Sequence, residues 1–187
     1  MIEEILKATE VLKNGGVLLY ATDTIWGIGC DASNTEAVKK VYAIKKRDEA
    51  KSLIVLVDNH TRLERTVEEV PEVAWDLIEY TEKPLTIIYD KPNGIAQNAI
   101  NKDRSLGVRI VKDPFCKELI RRLNKPIIST SANISGEKTA TCFQEISEDI
   151  KNSVDHIVNL RRDEKNLNQS SMIIKLDASG LIDIIRK

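Results

Sequence analysis

Four polar clusters in this chain have the residue types to bind and position an anionic substrate. Thr22-Asp23-Thr24 follows the apolar run "GVLLYA", and Ser129-Thr130-Ser131-Ala132-Asn133 follows "KPII". Ser105 and Arg109 lie in "SLGVRIV", and Lys45, Lys46, Arg47 and Lys51 form a basic segment. Lysine and arginine supply charge for phosphate or carboxylate, and short hydroxyls and Asn supply close, directional hydrogen bonds. Each cluster alone also has a structural reading. Lys45-Lys46-Arg47 can complement a helix dipole, Thr22 and Asp23 can hold a turn, and Ser129 to Ser135 can be a capped turn. Arg109 can face solvent from an alternating strand. Neither histidine, His60 or His156, sits near a recognisable nucleophile, which argues against a Ser-His-Asp hydrolase or a His-rich metal site. Cys30, Cys116 and Cys142 have neither disulfide-framework nor zinc spacing, so no metal ligands are assigned. There is no P-loop and no G-x-G-x-x-G, which closes both common routes to nucleotide binding.

The elements that must carry these groups alternate. Ile2, Ile5, Leu6 and Leu12 predict one face of a helix ending at Gly15-Gly16. "GVLLYAT" reads as a buried strand and "DTIWGIGCDAS" as a loop. Ser33 to Glu36 has the spacing of a capping box, and the helix beyond it puts Val38, Val41, Tyr42 and Lys45 on one stripe. "SLIVLV", "PLTIIYD", "SLGVRIV", "KPIIST", "HIVNL", "SMIIKL" and "LIDIIR" read as strands. "VPEVAWDLIEYTE", the segment opening at Asp113-Pro114, and a capped segment near "CFQEISEDIK" read as helices. The result is an α/β domain with a mixed sheet, whose ligand sites are expected just beyond strand ends.

The bulk properties narrow the class. A chain of 187 residues, 42% hydrophobic and 30% charged, is expected to fold as one domain, residues 1–187, with a sizeable core. No apolar run approaches bilayer length and the N-terminus carries acids within a helical period, so the expected location is the cytoplasm. A net charge of −1 argues against broad nonspecific attachment to nucleic acid.

In order, "ATDTIWGIGCDA", "AIKKRDEAKSLIVLV", "KPLTIIY", "SLGVRI" and "KPIISTSANISG" resemble the YrdC-like family of threonylcarbamoyl-AMP synthases, in its short, single-domain form. The resemblance spans roughly residues 10 to 176, and its most specific parts are Lys45-x-Arg47 and Ser131-x-Asn133. It implies a twisted, mostly mixed or antiparallel sheet flanked by helices around a large concave basic site. It also implies synthesis of threonylcarbamoyl-AMP and pyrophosphate from L-threonine, bicarbonate and ATP, with Mg²⁺ accompanying ATP. That product serves modification of adenosine 37 of tRNA. Partner proteins of tRNA modification are then expected, with tRNA contact permitted but not required. By the same resemblance, Lys45 and Arg47 are the catalytic cationic clamp, and Lys51, Ser105, Ser131, Asn133, Thr139 and Arg186 join them on the ATP side. Thr24, Arg109, Ser129 and Ser170 fall on the threonine side. The chain departs from the family pattern at Ala21, at Lys51-Ser52-Leu53, at Leu56 (a histidine in many relatives) and at Asn168-Gln169-Ser170-Ser171. The polar segment Arg161 to Gln169 would permit a lid. Two other readings remain at this stage: an RNA-binding or ribosome-maturation module using the same concavity, and a carbamoyl-transfer domain of the hydrogenase-maturation type.

Overall fold

A computed structural model of the chain describes residues 1–48, 53–165, 170–176 and 181–187. Lys51 and the Lys51-Ser52-Leu53 departure thus fall wholly or partly outside the described residues, as does the Gln169 end of the polar segment. The helices are α1 (Ile2–Lys13), α2 (Thr35–Ile44), α3 (His60–Thr66), α4 (Glu72–Tyr80), α5 (Pro114–Leu123) and α6 (Glu148–Ser153). The strands are β1 (Leu18–Ala21), β2 (Trp26–Gly29), β3 (Ile54–Val57), β4 (Leu85–Asp90), β5 (Ser105–Ile110), β6 (Ile127–Ser131), β7 (His156–Ile157), β8 (Met172–Leu176) and β9 (Ile182–Arg186). Among the described residues they form one mixed sheet in the order β7-β1-β2-β6-β3-β5-β4-β8-β9.

The two sheet faces are covered unequally. Leu19, Ala21, Ile28, Val55, Val57, Val108 and Ile87 point to one side and join Val38 and Val41 of α2, Leu63 of α3, Ala74 of α4 and Ile150 of α6 in the larger core. Alternate residues Leu18, Tyr20, Leu56 and Ile127 point to the other side, under Ile5, Ala8 and Leu12 of α1 and Phe115, Leu119 and Ile120 of α5. In register with Leu56 and Ile127 on that second face come Arg109, Ile54, Ser129, Gly27 and Ser131. These residues continue the face beyond the two helices, where no apolar layer is needed.

Several expectations are corrected. "DTIWGIGC" is not only a loop: Trp26–Gly29 is a central strand, and its glycines are packing devices. A Cβ at Gly29 would lie 2.2 Å from the Ile128 carbonyl oxygen and 2.7 Å from the Tyr20 hydroxyl, so only glycine permits that approach. Asn34, not Ser33, caps α2, accepting from the Glu36 and Ala37 N–H groups, and Ser33 donates to Asp31 instead. Ile2 and Leu6 are exposed while Ile5 and Leu12 are buried, so α1 turns a narrower stripe inward. Strand β5 is covered on both sides rather than alternating, and Arg109 within it is 5% exposed. The Asp113 cap of α5 is present, its carboxylate accepting from the Cys116 N–H at 2.8 Å. Leu56 is fully buried in the α1/α5 core, opposite Arg109 in the β3–β5 register.

Candidate active site

Lys-x-Arg works here through a helix end. Helix α2 closes in a Schellman turn: Arg47 N–H bonds Tyr42 O and Lys46 N–H bonds Ala43 O, with Lys46 left-handed at φ 48°. A lysine in that region is strained, and the turn separates its two neighbours. Lys45 stays on the core stripe with Val38, Val41 and Tyr42 and is 1% exposed. Arg47, past the turn, lines the cavity described below.

The Lys45 ammonium is committed to the other signature segment. It donates to Ser131 O at 2.5 Å and Asn133 O at 2.7 Å, and the Lys45 carbonyl accepts from the Ser135 N–H at 2.8 Å. Burial, reinforced by the Arg47 charge, pulls its pKa from 10.5 down to about 8. The Asn133 amide donates to Ile134 O and Glu137 O, and its Oδ1 is buried with no partner among the described residues. The two most specific motifs therefore lock to each other. Lys45 holds the turn after β6 from behind.

In front of that lock lies a cavity of about 230 Å³. Among the described residues, Arg47, Arg109 and Arg186 supply its charge and no carboxylate lines it. Its hydroxyls come from Thr22 and Thr24 after β1, Ser129, Thr130 and Ser131 of β6, Thr139, and Ser170 and Ser171 before β8. Ile25, Gly27, Ile54 and Ile173 complete the lining. Burial lowers the pKa of Arg47, and burial with the Arg109 charge lowers that of Arg186. Positive charge here is thus costly until an anion enters.

The first loop is tightly ordered. Thr22 Oγ donates to Ile25 O at 2.8 Å and accepts from the Thr24 N–H at 3.0 Å. Its own proton being spent, the 2.8 Å Thr22–Thr24 hydroxyl contact must use the Thr24 proton. Thr24 also accepts from Arg109 Nη1 at 3.1 Å, which leaves it one lone pair and no donor for a ligand. Arg109 Nη2 lies 3.3 Å from Asp23, and its Nε is buried with no acceptor among the described residues. Arg186 is aimed by the Ser171 carbonyl, accepting from Nε at 3.0 Å and Nη2 at 2.7 Å.

Of the residues singled out from sequence, Arg47, Ser131, Thr139, Arg186, Thr24, Arg109, Ser129 and Ser170 line this one cavity. Lys45 and Asn133 do not line it, standing behind it as the lock. Ser105 belongs elsewhere: it is buried at the opposite end of β5 from Arg109, bonded to Asp103 and Asn101. It does not line the cavity. Thr22 and Thr130, members of the polar clusters in the sequence, line it as well, and Ser171 is marked in the sequence only by its neighbour Ser170. Gly27, Ile54 and Ile173 emerge once sheet register is known, since nothing in their local sequence distinguishes floor from core.

The family described as Telomere recombination, that of Sua5, YciO and YrdC, matches residues 10–187. The chain belongs to this family. Its Sua5/YciO/YrdC relatives include a Methanocaldococcus jannaschii protein, provisionally named a threonylcarbamoyl-AMP synthase, 35% identical over 97% of this chain and 86% of its own length. A Pseudoalteromonas atlantica threonylcarbamoyl-AMP synthase is 32% identical over 75% of this chain and 76% of its own. Among solved structures, a P. abyssi Sua5 variant superposes with a TM-score of 0.88 at 26% identity, over 97% of this chain. P. abyssi Sua5 complexed with L-threonine superposes at 0.81 and 25% identity, over 92% of this chain. This chain spans 55% and 50% of those two Sua5 chains. No helix among the described residues is long and apolar enough to cross a membrane.

Proposed function

We propose that this protein is an L-threonylcarbamoyladenylate synthase, a nucleotidyltransferase joining L-threonine, bicarbonate and ATP into threonylcarbamoyl-AMP and pyrophosphate. The observation that carries the reading is the cavity itself. Three arginines from distant parts of the chain converge on it with hydroxyls and, among the described residues, no carboxylate, which suits two anionic reactants. The threonine amine and bicarbonate give a carbamate and water. A carbamate oxygen then attacks the α-phosphorus of ATP, and the bond to the bridging oxygen breaks to release pyrophosphate. No enzyme nucleophile is needed, so positioning and charge neutralisation carry the step.

On this reading the Arg109 Nε, which has no acceptor within the described residues, is available to the threonine carboxylate. The free lone pair of Thr24 accepts from the threonine hydroxyl or amine, and Ser129 adds a second polar contact. Arg47 and Arg186, with Ser131 and Thr139, face the nucleotide phosphates. Lys45 acts by holding the Ser131–Asn133 turn. Among the described residues no group of three His, Cys, Asp or Glu could cage a metal, and the lining is hydroxyl and guanidinium. That donor set fits Mg²⁺ arriving with ATP, held by phosphate oxygens and water, as part of the substrate.

The product would serve N6-threonylcarbamoyladenosine formation at position 37 of tRNA, through partner proteins that accept the adenylate. The RNA-module reading finds no support in the cavity, whose lining among the described residues has no aromatic ring on which a base could stack. The test is pyrophosphate release by purified protein given ATP, Mg²⁺, bicarbonate and L-threonine. Release that depends on both threonine and bicarbonate is expected. Folded protein with no threonine-dependent release overturns the proposal.

A further inference from the structure

We propose that Arg161 is a positioning residue for the amino-acid side of the site, strapping the first loop to the start of α5. It touches no reacting group and lies 139 residues from the loop it holds. Arg161 Nη1 donates to the Thr22 carbonyl at 2.9 Å and to Asp113 Oδ2 at 2.9 Å. The other Asp113 oxygen caps α5, so one carboxylate joins helix, strap and loop. The remaining guanidinium donors are held by Glu164, with Nε at 2.9 and 2.8 Å from its two oxygens and Nη2 at 2.7 Å. The fork is thereby fixed in rotation before it reaches Thr22.

The backbone supports a dedicated role. Arg161 is left-handed at φ 60°, a conformation that disfavours any side chain and persists when surrounding contacts over-determine it. Its neighbour Arg162 looks elsewhere, donating to Val158 O and Ile157 O and lying over the Phe143 ring. Arg161 therefore does something that general basicity of the segment does not.

The path to the site is short. Thr22 sets the turn in which Thr24 donates to Thr22 and accepts from Arg109. Fixing the Thr22 carbonyl fixes the Thr24 lone pair and the Arg109 fork together. Arg47, past the end of α2, and Thr139, beyond β6, reach the nucleotide side from other parts of the chain. Loss of the strap should therefore loosen one substrate and not the other.

The proposal rests on the enzymatic reading, and its test has two independent readouts. Pyrophosphate release is measured against threonine and against ATP for wild type, Arg161→Ala, Arg161→Lys and the neighbour control Arg162→Ala, and L-threonine binding is measured separately by calorimetry. For Arg161→Ala we expect the threonine KM and Kd to rise about tenfold, the loss of a little over one good hydrogen bond, with the ATP KM within twofold. Arg161→Lys, which keeps one donor within reach, should fall between, and Arg162→Ala should leave both KM values within twofold. Equal rises in both KM values, or no change in threonine Kd, overturn the strap. If wild type binds threonine but releases no pyrophosphate, the enzymatic reading fails while the Kd comparison still decides the strap. If it binds no threonine, both fall. Should Arg161→Ala fail to fold, the Lys and Arg162 variants decide the matter by calorimetry.

Discussion

Replacing Lys45 by methionine separates two roles that the Lys-x-Arg motif combines. The substitution keeps an unbranched stem of similar volume and removes only the ammonium. That ammonium serves Ser131 O and Asn133 O, and Ser131 O also accepts from the Asn133 N–H. Two buried carbonyls that lose this donor cost about 1–3 kcal/mol each, and no longer burying a charge offsets part of that, so a net loss of about 3 kcal/mol is expected. At about 2–4 °C per kcal/mol for a chain of this size, the melting midpoint should fall by about 6–12 °C. Arg47→Ala removes a charge that burial already disfavours, so its midpoint should stay within about 3 °C while the ATP KM rises at least about tenfold. The measurements are thermal unfolding and pyrophosphate release across an ATP series. A Lys45→Met protein that melts within 2 °C (about 1 kcal/mol) of wild type, with only its ATP KM raised, would show that the ammonium serves phosphate and not the turn. The lysine adds a pH signature. Its pKa is 10.5 unfolded and about 8 folded, so between those values the unfolded chain binds more protons. Stability relative to Lys45→Met should accordingly rise from pH 8 to pH 10.5 and be flat above.

Two further outcomes are expected. Arg109→Lys keeps the charge but loses the fork to Thr24 and Asp23, so the threonine KM should rise about 10- to 100-fold with little change in the ATP KM; comparable rises in both would place Arg109 on the wrong ligand. Burial raises the Cys30 and Cys116 thiol pKa values, in each case aided by a neighbouring aspartate, so both stay protonated and shielded at pH 8. A thiol reagent should then modify one cysteine, Cys142, in native protein and all three in denaturant; fast native labelling of Cys30 or Cys116 would contradict the packing.

Legibility followed the range of the interactions. The Asp113-Pro114 helix start and the helical stripe that carries Lys45 were readable because each is decided within a few residues. Trp26–Gly29 was not, because two glycines mimic a loop and only the approach of Tyr20 and Ile128 makes them a strand. Helix α3 left no clear mark either, as its seven residues bury only Leu63 and Thr66. Motif resemblance found most of the cavity wall but not the direction of each side chain. Lys45 and Arg47 are two residues apart, and the left-handed Lys46 between them sends one behind the site and the other into it. Ser105 shares the parity of Arg109 along β5, yet four residues of strand, about 13 Å, set it apart from the cavity that Arg109 lines.

Arg186 reaches the site from the outermost ribbon of the sheet. Among the described residues, strand β9 pairs with β8 alone, with a register shift beside Ile173, and all five of its residues are exposed. Strands held on one side open locally more readily than those at the centre. Detachment of this last ribbon would withdraw one of the three guanidinium groups while Arg47, past the end of α2, and Arg109, on an inner strand, stayed in place. The enzyme can in this way lose part of its grip on anions without unfolding, so its heat sensitivity in activity should begin below its heat sensitivity in structure.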